Sequence, residues 1–210
     1  MKRLIFSLLF TFWAFCSTAR NVEEFFTGMP ADIIVQLEEA WRKDLVDLYK
    51  SGRTATLENT MQGKSTLLKL TDNYLLLQYT ERSTVEMKLL PLVNNTHVIC
   101  MITTVYAPVA DSRVDFYTTE WNPLPAGELY TPVTAEWFLA DGAGDSSVEM
   151  SGIKAMLDIF LVKYSLEADS NTLTAEYTTP LYLDGESRAK ALPFLKDAPR
   201  RYEWKSSRFE

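Results

Sequence analysis

Val98-Ile99-Cys100-Met101-Ile102, together with Leu75-Leu76-Leu77, is the stretch whose reading decides the fold. Successive side chains of a strand point to opposite faces, so strands made of these runs are apolar on both sides and need a cover on each. A helix predicted from Asp32 to Lys50 supplies one cover, because Ile34, Leu37, Trp41, Leu45 and Leu48 recur at three- and four-residue spacing. The second cover is expected from the segment between Thr131 and Phe160, with Trp137, Phe138 and a helix after Ser146. An incomplete second cover leaves an apolar cavity of about 300 Å³ or more, the mark of a carrier for a lipid-like ligand.

Working outward, Val22, Phe25, Phe26 and Met29 suggest a short first helix ended by Pro30. From Thr54 the period falls to two. Val85, Met87 and Leu89 alternate with Thr84, Glu86 and Lys88, the pattern of a half-buried strand. A two-residue turn at Asp72-Asn73 pairs Leu70 with Leu75, Leu68 with Leu77 and Thr66 with Tyr79. His97 to Tyr106 and Arg113 to Trp121 read as two further strands. A turn at Ser170-Asn171 sets Ala168, Leu166 and Tyr164 opposite Leu173, Ala175 and Tyr177. Asp184 caps a short helix that Pro193 ends, and Tyr202 with Trp204 forms a last strand. Strand runs with helices set apart from them give an α+β fold, a mainly antiparallel sheet with flanking helices on at least one face. One domain over residues 20–210 is expected, with an internal seam near residues 122–145, where Pro123, Pro125, Pro132 and the glycines after Asp141 interrupt the pattern.

Lys2 and Arg3, the uncharged run Leu4 to Phe15, and Ser17-Thr18-Ala19 have the order of a secretory signal peptide, residues 1–19. The run is twelve residues, short of the roughly twenty a spanning helix needs, and no later stretch is apolar enough to cross a membrane. Lipoprotein processing at Cys16 is the alternative, disfavoured by the bulky Phe15 before it. Export places the protein outside the cytoplasm. Removing Lys2 and Arg3 leaves 19 basic against 28 acidic residues and moves the formal net charge from −7 to −9. Such a surface repels phosphate backbones and argues against nucleic acid as a partner. Cys100 then stands alone, so an intramolecular disulfide is ruled out in the mature chain.

Several motifs carry a resemblance: Met29-Pro30 ahead of the helix, Asp44 to Gly52 at its end, Gly63-Lys64-Ser65, Leu70-Thr71-Asp72, Leu90-Pro91, Val98-Ile99-Cys100 and Trp121 to Pro125. In these the chain resembles a family of secreted proteins of unknown function associated with Bacteroides-type bacteria. The resemblance implies a Gram-negative envelope location, periplasm or cell surface, or a secreted one, and carries no activity and no functional residues.

The chemistry-bearing residues give no site. Gly63-Lys64-Ser65 is only the tail of a phosphate loop: Glu58 stands where the earlier glycine belongs, and a strand follows where a helix should start. His97, the one histidine, begins a strand and reads as structural, while Cys100, three residues on, points to the opposite face. Asp141, Asp145 and Glu149 lack the spacing of a helix-loop-helix calcium site. Trp121 and Trp137, near the irregular segment, are candidates for a glycan or protein contact, with partly buried core as the plainer reading. No residue is assigned to catalysis, to a cofactor or to a metal. The expectation is a non-enzymatic envelope or secreted binding module whose partner is a protein, a glycan or an apolar ligand. The alternatives are a carboxylate-dependent hydrolase, recognised by a pocket lined by two or more carboxylates, and the apolar-ligand carrier. Cleavage between Ala19 and Arg20 predicts an exported protein beginning at Arg20; an intact mass showing an acylated Cys16 at the N-terminus overturns it.

Overall fold

A computed structural model describes residues 21–140 and 148–210. Seven strands follow one another in a meander: β1 (Thr56–Glu58), β2 (Lys64–Leu70), β3 (Tyr74–Thr80), β4 (Ser83–Pro91), β5 (His97–Tyr106), β6 (Ala110–Tyr117) and β7 (Pro123–Leu124). A second sheet holds β8 (Val162–Leu166), β9 (Thr172–Tyr177), β10 (Arg200–Lys205) and β11 (Arg208–Phe209), in the order β11-β10-β9-β8. Neighbouring strands in both sheets pair antiparallel. The helices are α1 (Val22–Thr27), α2 (Glu39–Lys50), α3 (Ala126–Leu129), α4 (Val148–Met156), α5 (Thr179–Tyr182) and α6 (Gly185–Ala191), with short 3₁₀ turns at Ala135–Phe138 and Leu192–Phe194. The architecture is α+β, as the alternating pattern implies. None of the helices in the described residues is long and apolar enough to cross a membrane.

The two-faced strands sit where their composition requires. Val85, Met87, Leu89, Ile99 and Met101 pack under α1 and α2 with Phe25, Phe26 and Leu45. Val98, Cys100 and Ile102 face the other way, into a core shared with Tyr164, Leu173, Ala175 and Tyr202 of the second sheet. The second cover is therefore the small sheet. Val133 and Phe138 join that core, but α4 does not: its Met150 and Ile153 pack with Ala191 of α6 in a separate cluster. The small sheet fills the space on this face of the large sheet, and α4 packs beside it.

Strand β4 departs most from expectation. Glu86 and Lys88, read as a polar outer face, are buried. The cause is β8, which contacts β6, β5 and β4. Glu167 N–H bonds Thr172 O, so with the β8–β9 register the N–H groups of Val162, Tyr164 and Leu166 point away from β9. Each finds a side chain of the large sheet: Asp111 Oδ1 at 3.2 Å, Ser112 Oγ at 3.0 Å and Glu86 Oε2 at 2.9 Å. Lys88 Nζ donates to the carbonyls of Glu167 and Ala168, at 2.8 and 2.9 Å, just beyond the strand.

Four local expectations shift. The 32–50 helix begins only at Glu39, and residues 31–37 form turns. Ile34 and Leu37 are still buried in the helix-side core, so their spacing reflects burial without helix. The reason is Arg42, a fully buried guanidinium that donates to Leu37 O at 3.1 Å, to Thr27 O at 3.3 Å and to Met29 O. Those carbonyls are thereby spoken for, and the chain before Glu39 wraps around the charge. In the β2–β3 hairpin Leu70 pairs with Leu75 as expected, but a bulge at Leu68 makes Leu67 pair with Leu77 and Thr66 with Gln78. The extra residue reverses the side-chain parity: Leu67 and Ser65 turn inward and Leu68 is exposed. Ser65 Oγ then donates to Tyr79 O at 2.7 Å. In the β8–β9 hairpin the register moves by two, giving Leu166 opposite Leu173 and Tyr164 opposite Ala175. A shift of two preserves the buried face. Strand β6 also starts and stops earlier than Arg113 to Trp121, since Trp121 adopts a left-handed backbone in a turn.

Two measurements follow from this packing. Cys100 is fully buried and burial raises its thiol well above the usual range, so little thiolate forms. Its labelling by a disulfide reagent should be slow and track global unfolding; fast labelling of the folded protein contradicts the packing. Arg42→Met should lower the unfolding free energy by about 2–4 kcal/mol, since it strands buried carbonyls; an unchanged urea midpoint refutes the role given to Arg42.

Candidate functional site

Two of the grooves beside the sheets bear on function. The first lies where β9 leaves the small sheet. Thr178 Oγ1 donates to Ala110 O at 2.6 Å, and Thr179 Oγ1 donates to Ile159 O and accepts from Leu161 N–H, both at 2.8 Å. These bonds fix the turn into α5. Asp184 then caps α6, accepting from the N–H groups of Glu186 and Ser187 at 2.9 and 3.0 Å. Arg188 reaches back from α6 to the carbonyls of Pro180 at 2.7 Å and Leu181 at 2.9 Å. Helix α5 is thus anchored through the buried Thr179 and Pro180 and through its carbonyls, which leaves Leu181 and Tyr182 facing solvent.

The groove so formed has a volume of about 380 Å³. Phe138 and Tyr177 stack on each other at 4.8 Å, nearly parallel, and line it together with Pro180, Leu181, Leu192 and Leu195. Leu181 is 56% exposed and Leu192 52%, high values for leucines beside an apolar cleft. Glu176, Lys196 and Asp197 complete the lining. Burial raises the Tyr177 phenol, which stays neutral at physiological pH. Trp137 packs edge-on to Phe138 at 5.0 Å, with Lys196 Nζ 5.0 Å and Arg200 Cζ 5.5 Å from its ring centre. The arrangement offers apolar and aromatic surface with charges of both signs around it, which suits binding more than bond-breaking chemistry.

The second groove, about 440 Å³, lies between the turns at residues 32–36 and strands β5 and β6. Asp32, Tyr79, Thr103, Asp111 and Arg113 are among its lining residues. It meets the two-carboxylate criterion set for a hydrolase through Asp32 and Asp111, as the first groove does through Glu176 and Asp197. Its groups are nonetheless engaged: Asp111 caps Val162 N–H, and Arg113 Nε pairs with Asp115 at 2.7 Å.

The other residues singled out in the sequence are dispersed. His97 is exposed at the start of β5, opposite Pro91, and Cys100 lies on the buried opposite face. Gly63 closes the β1–β2 turn, where Asn59 Oδ1 accepts from the N–H groups of Met61 and Gly63 at 3.0 and 3.1 Å. Lys64 and Ser65 continue into β2. Trp121 packs at a tilt against Tyr117, ring centres 5.3 Å apart, beside the helix-side core, remote in packing from Trp137, which joins the inter-sheet core. Asp141 and Asp145 lie outside the described residues, and Glu149 stands in the first turn of α4. The described residues include no group of three or more His, Cys, Asp or Glu side chains arranged to hold a metal ion. Among the described residues none of these candidates lines either groove; Trp137 packs against Phe138, which lines the first. Leu181 and Leu192 went unmarked, although Leu181-Tyr182-Leu183 ahead of the capping Asp184 and Leu192 beside Pro193 were visible as apolar residues next to helix ends.

No curated protein sequence matches the chain. Its structure is similar to that of a domain of an uncharacterized protein from Porphyromonas gingivalis W83, with a TM-score of 0.82 and 34% identity, covering 91% of this chain and 99% of that one. A family profile described as "Protein of unknown function (DUF3256)" matches residues 14–209. With nearly its whole length matched, the chain belongs to that family of proteins of unknown function, DUF3256.

Proposed function

We propose that this protein is a non-enzymatic binding module of the cell envelope or its exterior, and that it meets its partner through the groove between α5, α6 and the small sheet. One observation carries the reading. Large exposed apolar side chains gather at this end: Ile159, Phe160, Leu181, Tyr182 and Leu192 are five of the eleven found among the described residues. A cluster of that kind around a concave apolar surface is the usual mark of an interaction site. Export, supported by Lys2-Arg3 and the apolar run behind them, puts that surface outside the cytoplasm.

An apolar ligand also finds its place here. Between the sheets, Phe116, Tyr130, Tyr164 and Tyr202 pack ring against ring at about 6 Å and occupy the space that a lipid-like molecule would need. The hydrolase reading rests on Glu176 and Asp197 in this groove and on Asp32 and Asp111 in the second; in the second it is weakened by the commitment of Asp111 to Val162.

The test is direct. A Leu181→Ser/Leu192→Ser double variant should bind the apolar dye N-phenylnaphthylamine at least about fivefold more weakly, roughly the value of one lost leucine contact. Its melting temperature should stay within about 2 °C of the parent, because exposed side chains contribute little to stability. Unchanged dye affinity removes the groove from consideration.

A further inference from the structure

Glu86 occupies an unusual position for a carboxylic acid. It lies in the seam between the sheets, on a face otherwise made of Cys100, Ile102, Val114 and the aromatic rings of the small sheet. Its Oε2 accepts from two donors, Leu166 N–H of β8 at 2.9 Å and the Tyr74 hydroxyl of β3 at 3.0 Å. Lys88, two residues along the same face, gives its ammonium to the Glu167 and Ala168 carbonyls instead. The carboxyl is thus tied to the edge of one sheet while anchored in the other, and its hydrogen bonds come from neutral groups.

We propose that Glu86 is a proton-operated latch between the sheets: its carboxyl is neutral when the β8–β9 hairpin is seated, and loss of that proton loosens the hairpin. A buried carboxylate with no cation of its own is costly, and the neutral acid can still accept both bonds through the same oxygen. Burial accordingly raises the acid above its ordinary 4.5, while the Leu166 and Tyr74 bonds and Lys163 on β8 act in the other direction. The other titratable groups around the seam are Lys69 on β2, Tyr74 on β3, Lys88 on β4, Cys100 on β5, Asp111 on β6, Tyr130, Tyr164 on β8, Tyr202 on β10, and Glu167 and Asp169 at the end of β8. Cys100 and Tyr74 are themselves held neutral by burial.

The sign is fixed by which state holds the proton. Between the ordinary value and the raised one, the folded protein keeps a proton that the unfolded chain has released. The stability linked to Glu86 is full below the ordinary value and is lost as pH rises through the raised one. The latch also acts locally, because Leu166 is one of three β8 amides held by side chains of the large sheet, with Val162 on Asp111 and Tyr164 on Ser112.

The experiment compares the mature wild type with Glu86→Gln from pH 5 to pH 8. The glutamine carbonyl can accept both bonds, and any misfit of its amide is an offset independent of pH. Relative to the variant, the wild type should gain stability in urea as the pH falls, by tenfold in the folding constant for each unit of upward shift. Exchange of the Leu166 amide, corrected for intrinsic base catalysis, should quicken with pH in the wild type alone. The ¹³C shift of the Glu86 carboxyl reports the same titration without any variant, should Glu86→Gln fold poorly. A wild-type advantage that is flat or grows with pH, or a carboxyl already ionised at pH 5, overturns the proposal.

Discussion

Strand β8 ends the small sheet with three N–H groups that its neighbour β9 does not take up, and the molecule is arranged around satisfying them. An edge strand left open is a template for pairing with another chain. Here the edge is laid across the face of the large sheet, where Asp111, Ser112 and Glu86 each accept one N–H and Lys88 closes the carbonyls beyond. Side chains from two strands, β4 and β6, thereby stand in for a missing fifth strand. The contact fixes where the small sheet sits, since moving β8 by one residue would turn its donors away from all three acceptors.

That docking explains the polar residues in the seam. Burying Glu86 and Lys88 among aliphatic and aromatic side chains carries a desolvation cost, and such groups are retained where every bond is made. Lys88 meets two carbonyls and Glu86 two donors. The apolar rings around them would pack in several relative orientations of the sheets; the hydrogen-bonded points admit far fewer. Arg42 does the same on the other side of the large sheet, where its guanidinium gathers the carbonyls of the chain leading into α2. Buried polar groups on both faces, Glu86 and Lys88 on one and Arg42 on the other, set how the covering layers approach.

The grooves are consequences of these arrangements. The turns that Arg42 organises form one wall of the groove containing Asp32, and Asp111, which caps β8, lines the opposite side. On the small sheet, β9 delivers Tyr177 to stack with Phe138, and the Thr178–Thr179 turn sends α5 outward with Leu181 exposed. The apolar groove therefore stands beside a structurally anchored hairpin, which gives its floor a fixed shape while its leucine walls remain in solvent.

The sequence by itself determined the features that depend on near neighbours. Alternation in Val98 to Ile102 required two covers, the Asp72-Asn73 turn placed Leu70 against Leu75, Asp184 announced its helix, and the apolar spacing through Leu37 and Leu45 marked one buried face. These follow from strand and helix geometry over a few residues, and family membership was legible in the same motifs. Tertiary structure alone decided the rest. The bulge at Leu68 is selected by Ser65 reaching Tyr79 across the sheet. Glu86 and Lys88 read as solvent-facing because nothing within β4 reveals that a strand some eighty residues later will lie on them. Leu181 and Leu192 become a site only when the 138–139 segment is brought against them. Alternation and capping are properties of a segment; the burial of a charge and the shape of a cleft belong to whichever distant backbone arrives to meet it.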